Sequence, residues 1–113
     1  MSGASASARV LVGYITAPAA ESKKIAAKLV GDGLVACVNI TSNVTSVYTW
    51  EGKVEESTED LLMVKTTAAR AEDVKQAVVA MHSYDCPEVI FTEVASGHAP
   101  YLDWVQAQTA RRA

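Results

Sequence analysis

Apolar residues fill successive positions over residues 9–15 (RVLVGYI), so both faces of an extended chain would carry them. Such a run predicts a strand buried on both sides, and Pro18 stops it. Over residues 19–30 the period becomes helical. Ile25, Ala26, Leu29 and Val30 make one stripe, with Glu21, Lys23, Lys24 and Lys28 mostly outside it. Gly31-Asp32-Gly33 ends the helix, since glycine enters the left-handed cap conformation readily. Its N-cap is weak, with Thr16 the nearest candidate.

A second β stretch begins at Leu34 (LVACVNI), breaks at Thr41-Ser42-Asn43 and resumes as VTSVYTW. Glu51-Gly52 reads as a turn and KVEESTEDLLMVKTT as the returning strand, which together predict a long hairpin. Leu61, Leu62, Met63 and Val64 are apolar on consecutive positions, hence on both faces. Val74, Ala77, Val78 and Met81 recur at helical spacing within residues 68–83, leaving Arg70, Glu72, Asp73 and Lys75 towards solvent. EVIFTEV over residues 88–94 is a fourth strand. Gly97 and Pro100 bracket a turn, and residues 101–110 can form a terminal helix that buries Tyr101, Leu102, Trp104 and Val105. The order β-α-β, β-α-β followed by a short helix places the chain in the α+β class as a ferredoxin-like βαββαβ sandwich.

In that plan two helices cover one face of the sheet, yet Val10, Val12 and Tyr14 alternate with Leu11 and Ile15, and Val89 and Phe91 with Ile90 and Val94. The second face needs a cover too. An extended segment from residue 34 to 50 would reach about 55 Å, against about 20 Å for a 13-residue helix. Much of the hairpin therefore overhangs, with Val44, Val47, Tyr48 and Trp50 unburied unless a bulge at Thr41-Ser42-Asn43 bends the arm. A second copy of the chain is the economical cover, so the pattern predicts a homo-oligomer with strand pairing between subunits.

The chain has 113 residues, enough for one domain over residues 9–113 behind a short tail, MSGASASA, expected to be disordered. That tail resembles neither a secretory signal nor an anchor, and no apolar run approaches the roughly 18 residues that span a bilayer. A net charge of −3 argues against a nucleic-acid partner. Two cysteines without a C-x-x-C fit a reducing cytoplasm.

Chemistry-bearing residues concentrate in His82-Ser83-Tyr84-Asp85-Cys86-Pro87-Glu88. His82 with Cys86 or Glu88 could offer nitrogen, sulfur and oxygen donors to copper or zinc. Equally, His82 could face a helix C-terminus ahead of a plain polar loop. Cys37, in the second strand, reads either as a small buried residue or as one soft ligand completed from elsewhere. Lys65 and Glu59-Asp60 read as a salt bridge or a solvated rim, and His98 as an exposed loop residue. The six scattered glycines form no phosphate loop, and neither histidine has a spacing that pairs it with a nucleophile, so no catalysis is expected. The aromatic pairs of an RNA-reading sheet are missing, since Tyr14 stands alone.

Leu34-Val35-Ala36-Cys37-Val38-Asn39, Thr45-Ser46-Val47-Tyr48-Thr49-Trp50-Glu51-Gly52-Lys53-Val54-Glu55, Leu62-Met63-Val64-Lys65-Thr66, His82-Ser83-Tyr84, Pro87-Glu88 and Tyr101-Leu102-Asp103-Trp104 together resemble the CutA divalent-cation-tolerance family. The resemblance runs from about residue 10 to residue 105. It implies a ferredoxin-like fold similar to PII signalling proteins, a trimer built on the long hairpins, and tolerance to divalent metals with copper(II) or another divalent ion as ligand. Copper-binding members carry a cysteine where this chain has Ile15, a His-His pair where it has Met81-His82, and proline where it has Ser83. The expected metal donors are therefore His82, Cys37, Cys86 and Glu88. Tyr84, Met81 and Lys65 are expected to line a cleft, and Val47, Tyr48, Trp50 and Trp104 to pack between subunits. A second reading is a PII-like regulator that holds a small molecule, such as an anion, or a protein partner between subunits near His82, Tyr84 and Glu88. A third, an acylphosphatase-like enzyme, lacks the arginine it would need in the loop after the first strand.

Overall fold

The computed structural model describes residues 8–110. The expected tail falls on residues 1–7, outside them, except for Ala8, whose carbonyl accepts a 2.9 Å hydrogen bond from Gln106 Nε2. The elements are β1 (Val10–Ala17), α1 (Ala19–Gly31), β2 (Cys37–Trp50), β3 (Lys53–Thr67), a 3-10 turn (Ala68–Arg70), α2 (Ala71–Met81), β4 (Val89–Glu93) and α3 (Ala99–Gln108). The four strands form one antiparallel sheet in the order β2-β3-β1-β4, the ferredoxin-like arrangement.

Register explains the core. Gly13 faces Val64 and Phe91, and Ile15 faces Leu62 and Val89, so these residues share the sheet face on which Ile25, Leu29, Val74 and Val78 of the two helices are buried. The α1 stripe differs from the expected one. Val30 is exposed, and Ser22 takes a place in the buried row because its hydroxyl donates to Asp60 Oδ2 at 2.6 Å. β2 also starts later than the apolar run, at Cys37. The amides of Leu34 and Val35 are spent on the Leu29 carbonyl, closing the end of α1 behind the left-handed Gly33.

The terminal helix lies against the second sheet face. Val105 and Leu102 pack on Val10 and Ala36, whereas Tyr101 and Trp104, expected to be buried, stay about two-fifths exposed with ring centroids 5.7 Å apart. The helix also starts earlier than expected, at Ala99. Pro100 sits in its first turn, where a missing N–H costs nothing. Ile90 remains exposed, and Val12, Tyr14, Leu61 and Met63 are half-buried, so α3 covers only part of this face.

The hairpin overhangs as its length requires, and the molecule measures 52 × 27 × 22 Å. Val47, Tyr48, Trp50 and Val54 are all exposed on it. Glu51 and Gly52 both have positive φ, 52° and 78°, the geometry of a two-residue hairpin turn. Ser42 and Asn43 together oppose Asp60, a bulge in which Asn43 takes φ 62°. That extra residue exchanges the two faces of β2. Before it, Cys37, Asn39 and Thr41 share a face with Lys65, Met63 and Leu61; after it, Val44, Ser46, Tyr48 and Trp50 take that face, opposite Glu59, Ser57, Glu55 and Lys53.

Candidate functional site

A cleft of about 520 Å³ opens between the hairpin arm and the loop that leads from α2 to β4. Ser46, Val47, Tyr48 and Trp50 form its hairpin wall, Glu59 of β3 and Thr16 of β1 contribute at its inner side, and Tyr84, Asp85, Cys86 and Glu88 come from the loop. The bulge supplies the hairpin wall, because without it Ser46, Tyr48 and Trp50 would turn to the other face.

His82 fixes the loop. It follows α2 with extended backbone, and its imidazole is fully buried. Nδ1 accepts the Tyr84 N–H at 3.1 Å, which leaves Nε2 to carry the proton and donate it to the Thr16 carbonyl at 2.8 Å. The rings of His82 and Tyr84 lie 4.5 Å apart. Next to it, the amide and hydroxyl of Ser83 both donate to the Glu21 carboxylate of α1. These bonds, led by the hydroxyl and assisted by the nearby His82 and Lys24, hold the Glu21 carboxyl below its usual range against the opposing effect of burial. The stability Glu21 contributes is therefore present above the ordinary carboxylate range and is lost as the pH falls through its lower folded value.

Tyr84 then reaches β3, its hydroxyl donating to Glu59 Oε2 at 2.9 Å. Partial burial, then the Glu59 carboxylate, which accepts the hydrogen bond of the neutral phenol and would repel a phenolate, push the phenol up to about 12. Above the ordinary tyrosine value of 10.0 the unfolded chain loses this proton while the folded chain keeps it until about 12. Stability should thus fall with rising pH across that window. Alkaline titration of tyrosinate absorbance, with denaturant unfolding at each pH, checks this; Tyr84→Phe should remove the late-titrating phenol and its share of the slope.

The expected donor set is not assembled. Among the described residues no group of three or more His, Cys, Asp or Glu is placed to hold a metal ion. Both nitrogens of His82 are occupied by backbone groups. Cys37 lies at the far end of β2, about 30 Å along the strand from Ser46, where its thiol contacts Asn39 Oδ1 at 3.7 Å. Burial, then the neighbouring Cys37, raise the Tyr101 phenol. Of the four, Cys86 and Glu88 line the cleft. Of the expected cleft residues Tyr84 lines it, Met81 packs against the core instead, and Lys65 hydrogen-bonds Asn39 on the sheet. Trp104 lies on α3 beside Tyr101, and Val47, Tyr48 and Trp50 lie on the hairpin; all four are exposed.

Sequence reasoning missed Glu59 and Asp60 as interior groups. Each is only 5 % exposed, and neither is in an ion pair among the described residues. The available signal was their position directly before Leu61-Leu62 in a strand whose far half is exposed.

The family model described as "CutA1 divalent ion tolerance protein" matches residues 11–108. The chain belongs to the CutA family. The divalent-cation tolerance protein CutA of Thermus thermophilus is 44% identical over 96 residues, which cover 84% of this chain and 93% of the relative. The crystal structure of CutA1 from Oryza sativa superposes with a TM-score of 0.90 at 37% identity, covering 96% of this chain and all of that one. A PII-like protein CutA from Nostoc gives 0.83 at 33% identity, with coverages of 88% and 96%. The chain spans about half the length of the chloroplastic plant CutA relatives it matches. Among the described residues no helix is long and apolar enough to cross a membrane.

Proposed function

We propose that this CutA chain serves divalent-cation tolerance by holding its metal weakly at the cleft rim, through the Cys86 thiolate and the Glu88 carboxylate. The observation that carries this reading is that a soft and a hard donor, two residues apart, both line one side of the cleft. A borderline ion such as copper(II) suits that pair, and two protein donors leave most of its coordination to water, which makes the binding weak. His82 is a positioning residue for the loop, not a ligand. The reading includes no catalytic step, and His82 has no free ring nitrogen with which to activate a nucleophile. The protein is assigned to the cytoplasm on its two free thiols.

Cobalt(II) titration under reducing conditions tests the site, because a thiolate ligand gives the ion a charge-transfer band. Wild type and Cys37→Ser should show the band. Cys86→Ser should lose it, and Glu88→Gln should weaken binding by about tenfold. Titrations unaffected by either change at the loop would overturn the site.

The same reading includes a homotrimer whose sister chains cover the hairpin residues left bare. Light scattering should then report three times the 12.0 kDa chain mass. A particle of 12.0 kDa at micromolar concentration would refute it. The regulator reading with a small anion has less support: three carboxylates and no Lys or Arg line the cleft.

A further inference from the structure

Glu59 is withdrawn from water without a counter-charge. It is 5 % exposed, its Oε2 accepts the Tyr84 hydroxyl, and no Lys, Arg or His among the described residues pairs with it. A buried carboxylate is costly unless it is paired. Two residues back along β3, the Ser57 Oγ is buried as well and has no hydrogen-bond partner among the described residues. The register of β3 is regular, so Glu55, Ser57, Glu59, Leu61, Met63 and Lys65 alternate onto one sheet face. The part of that face beyond the arm is apolar and incompletely covered: Tyr14 and Met63 are half-buried and Ile90 is exposed. Lys65 stands there with its ammonium on the Asn39 side chain, and it is in no ion pair among the described residues. Within one chain it cannot serve Glu59. Six residues of strand separate the two by about 20 Å, beyond the reach of a lysine side chain.

We propose that in the homotrimer the arm of one chain lies across the open sheet face of the next, so that the partner subunit's Lys65 pairs with Glu59 beside Ser57. This rests on the homotrimer reading and adds which surfaces meet. Charge complementarity selects the cation. Arg9, Lys28, Arg70 and Lys75 already pair with acids, Lys23 and Lys24 are exposed on α1, and Lys53 stands at the turn of the arm itself. The apolar residues agree, since Tyr48 and Trp50 are bare on the arm and Ile90 is bare on the sheet. Two different surfaces of identical chains meet head to tail, a contact that closes as a ring and so suits three copies. It uses neither Cys86 nor Glu88.

Light scattering of the full chain over a dilution series, in a fixed moderate concentration of urea, reads the dissociation midpoint of the assembly. Glu59→Gln, which keeps an acceptor for Tyr84, and Lys65→Met should each raise that midpoint by about tenfold or more. The two together should cost much less than the product of the single effects, and exchanging the charges (Glu59→Lys with Lys65→Glu) should restore assembly that either exchange alone weakens. Because the two residues are too far apart in one chain, such coupling arises only between subunits. If the Glu59 variants do not fold, Lys65→Met against Lys65→Arg, which keeps the charge, serves in their place. A trimer whose midpoint ignores these substitutions, or in which the single effects simply multiply, would overturn the contact and leave the homotrimer standing. A wild-type particle of 12.0 kDa without urea would overturn both.

Discussion

Replacing His82 with alanine is expected to lower unfolding free energy by about 3 kcal/mol or more, and to loosen the cleft before the rest of the molecule. The side chain is fully buried, so its removal leaves a cavity. It also strands two backbone groups, the Thr16 carbonyl at the end of β1 and the Tyr84 N–H in the loop, each bonded now to a ring nitrogen. A buried polar group left without a partner costs about 1–3 kcal/mol. Denaturant unfolding gives the loss. Hydrogen exchange at Tyr84 and the following residues should rise more than exchange in α1. His82→Gln, whose amide can still donate to Thr16, should recover part of the stability. A variant as stable as wild type would show that the loop is held without the imidazole.

Gly13→Val is the second large effect, at about 3 kcal/mol of lost stability. A Cβ at this position would lie 2.7 Å from both Phe91 Cε1 and Val64 Cγ2, and 2.9 Å from Phe91 Cδ1. Val64 is fully buried and belongs to the central core, so it has no open space into which to retreat, and β1 is fixed between β3 and β4 on both sides. Glycine is needed here because of the close approach of neighbours; its φ is unexceptional, and only Gly33 and Gly52 carry positive values among the described glycines. Gly13→Ala should fall between wild type and valine in thermal unfolding. An alanine variant with unchanged stability would mean that the Phe91 ring swings away freely.

Much of the fold was legible because its signals are local. The helical stripe of Val74, Ala77, Val78 and Met81 predicts α2, Glu51-Gly52 predicts the hairpin turn, and the polar break at Thr41-Ser42-Asn43 falls where the bulge occurs. The less accurate expectations share a cause. Tyr101 and Trp104 look like core residues by type, but α3 covers only part of the second face and buries Val105 instead. Val30 fits the α1 stripe by period but stays exposed, whereas the polar Ser22, on the same helical row as Ile25 and Leu29, is buried with its hydroxyl donating to Asp60.

The site was less legible than the fold. The seven residues from His82 to Glu88 stand out as a cluster of donors, yet composition cannot tell a ligand from a brace. His82 became a brace once β1 ended with the Thr16 carbonyl opposite its ring. Cys37 and Cys86 are equivalent as residue types, and only their places in the sheet and loop separate them.

By itself the sequence determined the order of elements, the overlong hairpin with its turn and bulge, and membership of the CutA family, because each rests on periodicity or on residues close in the chain. The tertiary structure alone decided that Glu59 is buried beneath Tyr84, that His82 spends both nitrogens on the backbone, and that the hairpin wall and the loop enclose a cleft. Those outcomes depend on groups dozens of residues apart meeting at a single register, and burial and hydrogen bonding between them have no local signature in the chain.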